Sequence, residues 1–98
     1  MHPDLATRRR LLVVTYRGYI DADRAWVAAA SEARSWFPPA ERPVAMVIGD
    51  PGSRLRSLYD MREKALMRLQ AARAKLAEAE ARLDRKRAVR VRLLLARP

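Results

Sequence analysis

At 98 residues the chain has room for one modest core. Half of it is hydrophobic and a third charged, which excludes a disordered chain. No cysteine is present, which excludes a disulfide framework, a thiolate zinc site and a cysteine nucleophile. The net charge of +10 is lopsided: residues 1–52 carry seven basic and six acidic side chains, and residues 53–98 carry fourteen and five. Such asymmetry points to an anionic partner, whether nucleic acid, an acidic protein or a membrane surface. Eighteen of the 21 basic residues are Arg and Ala is abundant, so high-GC coding is the competing explanation.

In chain order, residues 1–10 are expected as a flexible basic tail, aperiodic to Thr7 and closed by Arg8-Arg9-Arg10. Residues 11–98 then form a single domain. Leu11-Leu12-Val13-Val14-Thr15-Tyr16 is a β-branched and aromatic run that reads as a strand, with Gly18 at its end. The apolar part of that run is far shorter than a secretory h-region or a membrane span, so a soluble cytoplasmic protein is expected.

Asp21 reads as an N-cap, and Ala22, Trp26, Ala29, Ala30, Ala33 and Phe37 recur at helical spacing until Pro38-Pro39 stops the helix. Asp23 suits the start of that helix by its charge. After a loop to Pro43, Val44-Ala45-Met46-Val47-Ile48 reads as a second strand, and Asp50-Pro51-Gly52 as a turn. A long helix follows over residues 53–88, capped by Ser53. Val89-Arg90-Val91-Arg92 alternates strictly, so residues 89–95 read as a third, edge strand, with a continued helix as the alternative. The expected fold class is therefore α/β: a small βαβαβ domain with a three-stranded sheet and a protruding second helix.

The long helix carries a heptad pattern. Counted from Leu55, the a positions are Leu55, Arg62, Leu69, Leu76 and Leu83, and the d positions are Leu58, Ala65, Ala72, Ala79 and Lys86. Arg62 and Lys86 break it. Leu69, Leu76 and Leu83 form a narrow seam that calls for another helix, on a second copy or a different protein, with a hinge that folds the last turns back as the alternative. In a parallel pair Lys75 would meet Glu80 but Arg68 would face Arg73, so the flanking charges do not select a parallel dimer.

Few residues suggest chemistry. Gly49-Asp50-Pro51-Gly52-Ser53-Arg54 lies between an expected strand and a helix, and the amides of Gly52, Ser53 and Arg54 form a possible anion site. The P-loop spacing and its lysine are missing, so a turn with an N-cap is the simpler reading. The only histidine, His2, is in the expected tail, and Asp21, Asp23, Glu32 and Asp50 do not form a cluster. No catalytic constellation, metal site, cofactor or small-molecule substrate is read from these residues.

The sharper signal is the basic terminus. Arg82, Arg85, Lys86, Arg87, Arg90 and Arg92 are offset by Asp84 alone, and Arg8–Arg10 would join them if the first and third strands are neighbours with those ends close. With few aromatics for stacking, nucleic acid would be held by its backbone. The expectation is a non-catalytic binding or assembly protein that associates through its long helix and contacts an anionic partner. The alternative is a purely structural protein–protein adapter or oligomerisation module.

Overall fold

The computed structural model describes residues 3–36 and 48–96. They form two long helices, α1 (Pro3–Ser35) and α2 (Arg54–Leu95), and no strand. The α/β expectation is overturned: the fold is a helical hairpin. Residues 11–16 lie inside α1, and residues 89–95 continue α2. The second expected strand falls at 44–47 outside the described residues, while its last residue, Ile48, is helical. The long helix expected to end at residue 88 runs on to Leu95, which was the alternative to a third strand.

The physical reason lies in how α1 is patterned. Leu5, Leu12, Tyr19, Trp26 and Ala33 recur every seven residues, straight through the supposed strand and past Gly18. Each is buried or half-buried, as are Arg8, Thr15, Ala22 and Ala29 at the intervening positions. A seven-residue repeat keeps one stripe of a helix facing a partner helix, and that burial outweighs the strand preference of Val13-Val14-Thr15. Thr15 adapts to the helix by donating its hydroxyl to the carbonyls of Leu11 (2.9 Å) and Leu12 (3.0 Å). Asp21 is not a cap but an exposed residue in mid-helix. Residues 3–10, expected as a tail, are the first turns of α1, with Leu5 buried beside Ala79 and Leu83.

The helices run antiparallel. Leu5 lies beside Leu83, Arg9 pairs with Glu80, Asp23 with Arg62, and the Trp26 ring meets Tyr59 edge-on at 5.9 Å between centroids. On α2 the least exposed residues are those of the heptad frame counted from Leu55, with Ala65, Leu69, Ala72 and Ala79 buried. The partner across that seam is α1 of the same chain. Alanines on both helices let the backbones approach closely but bury little area each. The buried residues among those described are Leu5, Ala30, Ala65, Leu69, Ala72 and Ala79. The result is a rod of 78 × 23 × 19 Å. Its radius of gyration of 21.9 Å compares with about 13 Å for a compact chain of this length.

The helices are unequal, 33 residues against 42. Because Leu5 is level with Ala79–Leu83, α2 runs on past the start of α1. Every residue from Asp84 to Ala96 is exposed.

Candidate functional site

The α2 overhang gathers the basic residues singled out in the sequence. It stays helical without α1 because Arg, Leu, Lys and Ala favour helix and each added residue contributes one more backbone hydrogen bond. Arg85, Lys86, Arg87, Arg90 and Arg92 form no ion pair among the described residues, and Asp84 is the only acid in the segment. Arg82, one turn back, reaches Glu78 only loosely, at 3.9 Å. Arg82, Arg85 and Lys86 surround Val89 in one open surface patch.

The first turns of α1 add charge at the same end of the rod, though less of it is free. Arg8 is held by Asp4 at 3.1 Å and donates to the carbonyl of Lys75 at 3.3 Å. Arg9 meets Glu80 at 3.6 Å, and Arg10 is exposed. Arg8 and Arg9 thus lie level with Lys75 and Glu80, short of the overhang, and the pairing of first and third strands that was expected to join Arg8–Arg10 to the basic terminus does not form.

Apolar side chains share the overhang with the cations. Val89, Val91, Leu93, Leu94 and Leu95 are 53–80% exposed. At 100° per residue, Val89 and Leu93 fall between Arg85 and Lys86, while Val91 and Leu95 fall on another side, so the segment has no single apolar face.

The remaining sequence candidates sit elsewhere. Leu69 is buried, and Leu76 and Leu83 are half-buried, all three on the α2 face that meets α1. Gly52, Ser53 and Arg54 lie at the opposite end of α2. There Ser53 caps the helix itself: its Oγ accepts from the Arg56 amide at 3.1 Å and its amide donates to the Asp50 carbonyl at 3.0 Å. Gly52 and Gly49 have positive φ, +83° and +89°. At Gly49 an added Cβ would come within 2.7 Å of the Arg56 amide nitrogen, so this turn needs glycine twice over. An open groove of about 600 Å³, walled by Ala25, Ala29, Trp36, Leu55 and Leu58, lies near this end.

A residue read as a pattern violation turns out to organise the middle of the seam. Arg62 Nε donates to Asp23 at 2.7 Å, one terminal nitrogen donates to Glu63 at 2.8 Å, and the other to the Tyr19 hydroxyl at 3.1 Å. Its guanidinium also lies 5.1 Å from the Trp26 ring centre and 5.5 Å from that of Tyr19. The hydrogen bond to Asp23 raises the Arg62 pKa above its ordinary value, against the opposing effect of burial. The signal for this cluster was present in the sequence as two charges, Asp23 and Arg62, each on the apolar side of its own helix. Neither charge could be assigned the other without knowing that the helices pair.

Among the described residues, no three His, Asp or Glu side chains come together as a metal site. No helix among them is long and apolar enough to cross a membrane. Compared with protein-family models, curated proteins and solved structures, the chain has no significant match.

Proposed function

We propose that this hairpin is a non-catalytic binding protein that presents the basic overhang of α2 to an anionic partner, with the backbone of a nucleic acid as the specific ligand. The observation that carries the reading is the run of five cations, Arg85, Lys86, Arg87, Arg90 and Arg92. They stand on a helix that projects past its partner and form no ion pair among the described residues. Cations kept only for solubility need not be concentrated at one projecting end. The twelve residues from Asp84 to Leu95 span about 18 Å, the length of about five phosphates along one strand. The mixing of apolar and basic residues around the axis favours a nucleic acid over a membrane surface, which requires a segregated apolar face.

Retention on immobilised duplex and single-stranded nucleic acid, measured across a salt series, tests this. Each phosphate contact adds about 0.9 to the slope of log affinity against log salt for duplex DNA. Replacing Arg85, Lys86 and Arg87 by Ala should therefore lower the slope by roughly 2 to 3 units. Retention that is indifferent to salt and to these changes sinks the reading.

A second reading has its own observation. The exposed Val89, Val91, Leu93, Leu94 and Leu95 suit a purely structural adapter in which the overhang docks on another protein. Under that reading Leu93→Lys and Leu94→Lys abolish association, and the arginine changes leave it intact.

A further inference from the structure

The seam between α1 and α2 leaves a second apolar stripe of α1 uncovered. Val13, Ile20 and Val27 are seven residues apart, each one residue on from a seam position, and so lie about 100° round the helix from the seam. Tyr16 falls within the same stripe. Val13, Tyr16 and Val27 are 48%, 55% and 45% exposed, and Ile20 is half-buried. On α2, Leu66 is level with Ile20, because Asp23 is level with Arg62 and Trp26 with Tyr59.

We infer that a second copy of this chain covers this stripe, giving a four-helix bundle of two hairpins related by a two-fold axis that passes at Ile20. Three observations carry it. The first is area. The chain exposes 7849 Å², whereas a compact monomer of 11.2 kDa exposes about 5,700 Å². The surplus of about 2,100 Å², shared between the α2 overhang and the flanks of the hairpin, stands against the roughly 800 Å² that each partner buries in a standard stable interface. Two alanine-rich helices do not by themselves enclose a core, whereas four do.

The second observation is symmetry. Val13, Ile20 and Val27 read the same in both directions about Ile20. An antiparallel second copy places its Val27 across from Val13 and its Ile20 across from Ile20, which is the self-complementary patch that a closed dimer requires.

The third observation is charge. Of the ionic residues bordering this flank, Arg9 is neutralised by Glu80 and Glu63 by Arg62 within the chain, while Arg17 and Arg24, one turn on from Val13 and Ile20, are exposed. A two-fold axis at Ile20 sets Arg17 level with Asp23 of the second copy and Arg24 level with its Tyr16. The antiparallel arrangement also sends the two basic overhangs to opposite ends of the bundle, where they do not repel each other. The inference does not depend on what the overhangs bind.

Sedimentation equilibrium of the nuclease-treated full chain, over a concentration series, should give twice 11.2 kDa. Ile20→Glu should reduce the mass to one chain. The chain has no native cysteine, so cross-linking reads the geometry directly even if that variant unfolds. Ile20→Cys should oxidise to a covalent dimer. Val13→Cys should cross-link to Val27→Cys when the two variants are mixed, and not to itself. A one-chain mass throughout the series overturns the inference, as does Val13→Cys joining to itself in preference to Val27→Cys.

Discussion

Arg62 and Asp23, 39 residues apart in the chain, meet at 2.7 Å and set the register of the hairpin. The guanidinium occupies a seam position of the heptad frame whose other members, Leu55, Leu69, Leu76 and Leu83, are aliphatic. It therefore contributes specificity more than net stability: sliding α1 by one turn would leave a half-buried cation without its carboxylate.

Asp23→Ala should destabilise the hairpin by about 1–2 kcal/mol, since it removes a charged hydrogen bond from a site that keeps Glu63 and Tyr19. Arg62→Leu combined with Asp23→Ala should recover much of that loss. A double-mutant cycle by urea denaturation, followed by circular dichroism, measures the coupling. Additive single changes would show that the pair is incidental. The pH dependence follows from the raised Arg62 pKa. The stabilisation by charged Arg62 is fully present below the ordinary guanidinium value and is lost only as pH rises through the higher folded value. Deprotonation of Arg62 therefore contributes no pH dependence near neutrality.

Leu69→Ala should cost about 2–4 kcal/mol, because Leu69 is 6% exposed and its loss opens the seam between two alanines, Ala65 and Ala72. Met67→Ala, two residues away and 68% exposed, should change stability by less than about 0.5 kcal/mol. Equal effects on the denaturation midpoint would refute the antiparallel seam.

Ala72→Leu tests the same seam from the other direction. Ala72 is 3% exposed, so three added heavy atoms force the helices apart, at a cost of about 1–3 kcal/mol. A stabilised variant in thermal denaturation would mean that space exists there.

Removing residues 84–98 should leave the hairpin's unfolding midpoint nearly unchanged, because residues 84–96 are all exposed and add no buried contact to the seam. The same truncation should abolish retention on nucleic acid at moderate salt. A large drop in stability would show that the overhang packs on something.

Gly49→Ala should destabilise the start of α2 by about 1–3 kcal/mol, since it combines a positive φ with a Cβ 2.7 Å from the Arg56 amide nitrogen. Gly52→Ala has only the φ penalty, with nothing within 4 Å, and should cost less. Ser53→Ala should cost about 1 kcal/mol through loss of the cap to Arg56. Thermal melts of the three variants rank these effects.

The sequence by itself determined the helicity of α2 as far as residue 88, its heptad frame from Leu55 and its basic terminus. These are local properties: helix propensity, i,i+4 pairing and side-chain periodicity act within a few residues of one another. The conformation of residues 11–16 and 89–95 was not local. Val13-Val14-Thr15 and Val89-Arg90-Val91-Arg92 have the composition of strands, yet a strand is stable only beside another strand. The seven-residue repeat that joins Leu5, Leu12, Tyr19, Trp26 and Ala33 was legible, but it was cut at Gly18 and Asp21 by residues that usually punctuate structure.

Only the tertiary structure decided that α2's seam is met by α1 of the same chain and that Arg62 belongs to Asp23. It alone also showed that α2 outruns its partner at Asp84. The reason is physical: burial and ion pairing between helices depend on which surfaces meet, and residues 39 apart, such as Asp23 and Arg62, meet only once the chain has turned back on itself.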